Sequence, residues 1–434
     1  MAGTVKYSFV RRHSGVFAAV IILAMYAVEA HARRHSQPRP AIQGDQGAYL
    51  ADSVRMYQTN YTAPGERARM PVLPFLLSFI YRPGLTEPEF LERAQAFNVN
   101  LSIVLLALLF AIFRRKFATI YAVALLAATA FGVFLYRSVL VQPEVLLYTF
   151  AFCLFLLFAR LLTAPRWWLA LLTGATMGVA HLTKASLLPA LVLWVVLFAV
   201  QTLWIRNLGP RFVVLLLVIG AFLAVTFPYL RTSKEMFGQY FYNVNSSFVM
   251  WCDSWPEALG WLEVHIDQEK WRALPAGQIP SPAKYWREHS VGDIAQRLGR
   301  GFRSLATQKA MGVGYYKFVV VLVLASAAAW LVWPRRAREV IAQNPFGAAW
   351  AFLFCAMFVV LFAWFDTITS DTRFILMLFL PIVFSASTFL LAVGGDHTFS
   401  IAGRRLPLVT ALSGVLLCLS FVDVLYNAWR NVGS

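Results

Sequence analysis

The chain has 434 residues, 59% hydrophobic and only 14% charged, with a formal net charge of +17. That much apolar surface exceeds what one aqueous core can enclose, so the natural solvent is a bilayer. In such a chain the positive total is an excess in the connecting loops, which excludes a nucleic-acid binder.

A hydrocarbon layer ~30 Å thick asks about 20 apolar residues of each crossing helix. An all-α polytopic membrane protein with about eleven transmembrane helices is therefore predicted. The segments are Gly15 to Ala30, Phe97 to Phe113, Phe117 to Tyr136, Pro143 to Ala159, Trp167 to His181, Ala185 to Trp204, Phe212 to Tyr229, Phe318 to Trp333, Phe346 to Phe365, Phe374 to Val393 and Leu406 to Leu425. The first has no small-residue cleavage site before His31 and reads as a retained signal anchor. The apolar stretch between Arg166 and Arg206 is too long for one span and is drawn as an antiparallel pair turning near Thr183 and Lys184.

Lys and Arg resist translocation, so basic loops mark the cytoplasmic side. Lys6, Arg11, Arg12, Arg114, Arg115, Lys116, Arg160, Arg166, Arg206, Arg211, Arg335, Arg336, Arg338, Arg404 and Arg405 all fall on one side of the alternation. Among acids only Glu339 and Asp396 share those loops, and the N-terminus is predicted cytoplasmic. A compact chain without retention signals favours a bacterial inner membrane, with the site on its extracytoplasmic face. Cys153, Cys355 and Cys418 lie in predicted spans and leave Cys252 alone outside, so neither a disulfide framework nor a Cys-based zinc site is available. The sequons at Asn60 and Asn245 matter only in a eukaryotic secretory route.

Residues 1–434 are read as one membrane domain with two long extracytoplasmic regions, 31–96 and 230–315, both too long to be mere turns. In the first, Asp45, Tyr49, Asp52 and Met56 recur at helical spacing. After Gly44, Asp45 is either an N-cap or a general base that takes a proton from an acceptor hydroxyl. Arg67, Arg69, Pro71 and Pro74 then introduce an apolar piece, Val72 to Tyr81, too short to span and expected to lie along the surface. Those arginines either anchor it to headgroups or grip a phosphate. The second region holds Trp251, Trp255, Trp261, Trp271 and Trp286, an aromatic belt or a platform for sugar rings.

Four further charges are placed on the outer side. Glu144, after Pro143, opens the fourth span, where an acid suits the positive dipole end or positions an acceptor. Lys184 is set at the turn between two apolar helices, snorkelling to the interface or neutralising a phosphate there. Arg231 follows Pro228, and Arg373 follows the Asp366 to Asp371 loop. Several cations at one mouth suit an anionic lipid head.

These residues carry a resemblance. The chain is similar to the polytopic GT-C glycosyltransferases that use polyprenyl-phosphate sugars, the superfamily of protein O-mannosyltransferases and the lipid A aminoarabinose transferase. The shared features begin with Asp45 and Tyr49, Arg69 before Pro71 and Pro74, and Glu144. They continue with Leu182-Thr183-Lys184, then Pro228, Tyr229 and Arg231 ahead of Phe237, Gly238 and Asn245, and finally Arg373, Phe374 and Pro381. The resemblance spans roughly residues 15 to 390.

It implies a GT-C-like fold and inverting transfer of a monosaccharide to an extracytoplasmic hydroxyl of a glycan, lipid or protein. Asp45 and Glu144 would be catalytic, with Lys184, Arg231, Arg373 and Arg69 on the donor phosphate. Tyr49, Asp52 and Asn245 would line the acceptor or sugar. The resemblance carries no motif over the Trp-rich segment after Asn245, and region 230–315 is expected to hold the acceptor, with Trp251 and Trp255 against the sugar. Some relatives bind a divalent cation, but Gln46 stands where members often carry Glu, and Asp45 with Asp52 are too few ligands for one. A non-enzymatic lipid-sugar flippase, or a glycan ligase or polymerase, would share the outer cations. Against a flippase stand the large outer loops, the missing internal repeats and the scarcity of charge within the spans.

Overall fold

The computed structural model describes residues 2–36, 44–62, 67–206, 208–265, 275, 277–311, 315–369, 371–401 and 404–432. It is an integral membrane protein whose described residues are almost entirely helical, with one two-stranded antiparallel ribbon among them, Thr398–Ile401 with Arg404–Pro407. Among the described residues nine helices are long and apolar enough to cross a membrane, or ten if the bent pair Tyr316–Val332 and Pro334–Gln343 is one broken span. The expected count of eleven is not reached on length and apolarity. The short member is the helix Trp167–Thr183, 17 residues, which ends where the backbone extends at Lys184.

In chain order, α1 (Ala2–Ser36) packs along α4 (Glu87–Lys116), where the Tyr26 hydroxyl meets Ser102 Oγ at 2.7 Å in full burial. Between them come α2 (Asp45–Gln58) and the short α3 (Val72–Ser78). Leu73 and Leu77 bury one face of α3 completely, and Phe75 and Phe79 are exposed beside it. Helix α4 starts at Glu87, well before the expected Phe97, because Thr86 and Glu89 form a capping box in a polar stretch. The next span joins α5 (Thr119–Thr129) through a π turn at Ala130–Phe134 to α6 (Leu135–Ser138).

Helix α7 (Glu144–Thr163) occupies the middle of the bundle. The indole of Trp194 on α9 (Leu188–Ile205) donates to the Phe158 carbonyl at 3.2 Å, and that of Trp350 to Phe155 at 3.0 Å. A buried indole N–H needs such a partner, and here the two bonds tie the helices on either side to α7. Helices α8 (Trp167–Thr183) and α10 (Leu208–Phe237) approach closely through Gly174 and Gly178. A Cβ at Gly174 would collide with the Val218 carbonyl, and one at Gly178 would sit 2.7 Å from Val225 Cβ. Small residues four apart allow this backbone approach in a lipid setting.

Helix α10 runs beyond the expected end at Tyr229, since Pro228 forfeits one N–H without ending the helix. Beyond it come α11 (Val244–Ser247), α12 (Trp255–His265), α13 (Pro282–Glu288) and α14 (Val291–Met311). Helix α14 lies on α17 (Pro345–Asp366), held by Arg297, which is 2% exposed, stacks 4.2 Å over Trp364 and pairs with Asp253 at 3.3 Å. Gly301 faces the Ala363 carbonyl so closely that a Cβ there would collide with it. The remaining spans are α15 (Tyr316–Val332), bent by 109° into α16 (Pro334–Gln343), then α18 (Phe379–Gly394) and α19 (Leu408–Val432).

Hydrogen bonds sort the helix ends into two groups. At one end Arg211 donates to Gln201 and to the Leu162 carbonyl, and Arg336 pairs with Asp396 at 2.6 Å. At the other, the starts of α2, α7 and the Phe374–Phe379 turn meet the close of α8 through charged side chains.

Candidate active site

Asp45 is the first residue of α2, with Gly44 at the cap position in the left-handed region and no side-chain cap bond. The capping alternative is therefore not the one realised. Both carboxylate oxygens go elsewhere: Oδ1 accepts from Arg69 Nη2 at 2.8 Å, and Oδ2 from Arg373 Nη1 at 2.5 Å. Burial would raise the Asp45 carboxyl, but the Arg373 and Arg69 charges and hydrogen bonds outweigh it and hold the group below its usual range.

Arg373 is the hub. Its Nε lies 2.9 Å from Asp371 and 3.9 Å from Glu144, and Tyr148 donates to its carbonyl at 2.6 Å. Asp371 also accepts from the Arg373 backbone N–H at 2.8 Å, a local turn that prepares the arginine's direction. Burial favours the neutral guanidine, yet the facing Glu144, Asp45 and Asp371 carboxylates overcome that and raise the Arg373 pKa. Arg137 extends the knot, 3.3 Å from Asp371 and 2.9 Å from the Thr372 hydroxyl.

Glu144 opens α7 and is completely buried, and Lys184 Nζ donates to its Oε1 at 2.8 Å while standing 4.8 Å over the Phe374 ring. Burying such a pair is costly unless geometry is good and other charges help. Here three carboxylates (Asp45, Glu144, Asp371) face four cations (Arg69, Arg137, Lys184, Arg373), leaving one positive charge over.

A cavity of about 370 Å³ adjoins this knot, between α2, α3 and the ends of α8 and α10. Arg67, Arg69, Asp52, Thr62 and Thr232 supply its polar wall, and Met56, Phe75, Leu182, Val225 and Pro228 are among its apolar lining. Arg67 is 4% exposed, lies 3.9 Å over the Tyr229 ring and donates to Thr232 Oγ1 at 2.5 Å.

Five expected site residues thus converge: Asp45, Arg69, Glu144, Lys184 and Arg373. Asp52 lines the cavity, 4.0 Å from Arg55. Tyr49 is 7% exposed and packs with Leu50, Leu73 and Leu77; its burial, with the Glu144 and Asp45 charges, drives the phenol well above its ordinary value and keeps it neutral. Arg231 stands apart, 67% exposed and paired with Glu235 at 2.8 Å. The reason is helical: α10 continues past Tyr229, and at about 100° per residue Arg231 turns to the opposite face. Trp251 is engaged edge-on with Trp364 at 6.0 Å, Trp255 is 45% exposed, and Asn245 donates to the Ala68 carbonyl at 2.9 Å. Trp271 lies outside the described residues.

Arg137, Asp371 and Tyr148 were not anticipated, since nothing local distinguishes them from span-end or loop residues. Gln46 is committed to the Val141 N–H at 2.9 Å, and both Asp45 oxygens face arginines. Among the described residues no group of three or more His, Cys, Asp or Glu could hold a metal, so the donor set does not fit a divalent cation.

No protein-family model matches the chain, and no curated protein matches it. Among solved structures, the crystal structure of ArnT from Cupriavidus metallidurans bound to undecaprenyl phosphate is similar, with 17% identity over 88% of this chain and 79% of that one and a TM-score of 0.34.

Proposed function

We propose that this protein is a GT-C-like membrane glycosyltransferase that moves a monosaccharide from a polyprenyl-phosphate donor to an extracytoplasmic acceptor hydroxyl, with inversion. The observation that carries the reading is Asp45 held between Arg69 and Arg373, beside a cavity that combines two arginines with an apolar wall. Guanidinium groups suit phosphate oxygens, and the apolar lining suits the first isoprene units.

Asp45 in the arrangement described is a poor base, because both oxygens already accept from guanidinium groups. A donor phosphate competes for the same donors. As Arg69 and Arg373 turn to the phosphate, Asp45 loses the charges that held its pKa low and becomes able to accept a proton. The acceptor oxygen then gives its proton to Asp45 and bonds to the anomeric carbon, whose bond to the phosphate oxygen breaks. The departing polyprenyl phosphate carries the released electron pair, and Arg69, Arg373 and Lys184 stabilise it. Glu144 holds Lys184 and faces Arg373, so its role is to position the two cations. The outer region 230–315, with Trp255 exposed, is the proposed acceptor surface.

The test supplies purified protein in lipid with a panel of labelled polyprenyl-phosphate monosaccharides and an acceptor extract. Asp45→Asn should lower transfer by about 10²- to 10⁴-fold. It should also bind the donor lipid at least as tightly, since a competitor for the arginines is gone. Failure of wild-type protein to transfer label from any donor sinks the proposal, and a fully active Asp45→Asn protein favours a flippase.

A further inference from the structure

Arg67 has φ +62°, in the left-handed region that non-glycine residues rarely occupy. Such a conformation persists where the surroundings over-determine it. Segment 243–245 does so through three hydrogen bonds. Asn243 Nδ2 donates to the Arg67 carbonyl at 3.0 Å, the Val244 N–H donates to the same oxygen at 3.2 Å, and Asn245 Nδ2 donates to the Ala68 carbonyl at 2.9 Å.

The Asn243 amide is a built part of this clamp. It is 5% exposed, its Nδ2 also points to Met70 Sδ at 3.5 Å, and its Oδ1 accepts from the Ser246 N–H at 3.2 Å at the start of α11. Oxygen faces a donor and nitrogen faces acceptors, so the partners dictate the amide's orientation. The bend held in this way sends neighbouring arginines in different directions. Arg67 goes to Tyr229 and Thr232 on α10, Arg69 goes to Asp45 on α2, and both line the cavity.

We propose that Asn243 is a positioning residue: its amide holds the Arg67 backbone left-handed and thereby places the Arg67 and Arg69 guanidinium groups that line the donor cavity. The proposal rests on the function given above. The acceptor-side segment is thus coupled to donor binding through main-chain carbonyls rather than through any contact with substrate.

Asn243→Asp is the discriminating variant, because it keeps an oxygen for the Ser246 N–H but turns an acceptor toward the Arg67 carbonyl. Hydrogen exchange of amides 68–70, affinity for a polyprenyl phosphate and the split between donor KM and kcat are measured on the full chain in lipid. The expected result is faster exchange, about tenfold weaker lipid binding and a raised donor KM with kcat changed less. A glycine at 67 needs no enforcement, so in an Arg67→Gly background the same change at 243 should add little further loss. Asn245→Ala, at an exposed position, tests the clamp at Ala68 even if changes at 243 prevent folding; it should speed exchange at the same amides. Unchanged exchange and affinity in Asn243→Asp, or an undiminished loss in the Arg67→Gly background, overturn the positioning role. Wild-type protein that binds no polyprenyl phosphate instead overturns the proposed function, so the two failures are distinguishable.

Discussion

Asp45 shares its oxygens between Arg69 and Arg373, and this sharing sets its response to pH. A carboxyl held below its unfolded value of about 3.9 contributes stability above that value and loses it as pH falls through the lower folded value. The ion pairs should therefore survive to below pH ~4 in protein without donor. Infrared difference spectra between wild type and Asp45→Asn check this, and a protonated carboxyl band growing in near pH 5 contradicts it. Glu144 and Lys184 make a second test, because removing one partner of a buried pair costs about 3–5 kcal/mol while replacing both can be nearly neutral. Lys184→Ala should sharply lower the melting temperature, and Lys184→Met with Glu144→Gln should recover most of it without restoring transfer. A double variant no more stable than the single one would show that the pair is not the source of the loss.

Helix packing in this protein depends on where glycine permits backbones to meet. Helix α14 is polar enough to be read as a surface helix, yet it docks on α17 through Gly301 and the buried Arg297. Gly301→Ala must push the two helices apart, and overpacking of this kind costs about 1–3 kcal/mol. Thermal unfolding in detergent should register it, whereas Gly299→Ala, where a Cβ meets nothing within 4 Å, should be neutral or slightly stabilising. Equal effects at both positions would remove the close approach as the cause. The continuation of α10 past Pro228 has a comparable reach: it turns Arg231 outward and brings Tyr229 and Thr232 to Arg67.

Across the bundle, the charged knot and the loops rich in arginine gather at different helix ends. The positive-inside rule then predicts that the knot faces away from the cytosol. Single cysteines at Trp286, which is 60% exposed, and at Glu339, also exposed, on a cysteine-free background decide the matter. An impermeant maleimide should label Trp286→Cys in intact cells and Glu339→Cys only after lysis. The reverse pattern would place the knot in the cytosol and end the case for an outward acceptor.

Most of the spans were legible because hydropathy is a property of neighbours in sequence, and a bilayer leaves few ways to satisfy it. The same holds for Asp45, Arg69, Glu144, Lys184 and Arg373 as candidates, since charges at the edges of apolar runs stand out. Which of them touch was decided only in three dimensions. Asp45 and Arg373 are separated by 328 positions, and no local pattern encodes their bond. Arg137 and Asp371 joined the knot, and Arg231 left it, through helix phase and packing rather than residue type. Asn245, read as a substrate contact, became a clamp on the Ala68 carbonyl for the same reason: a side-chain amide serves whichever group the fold brings within 3 Å.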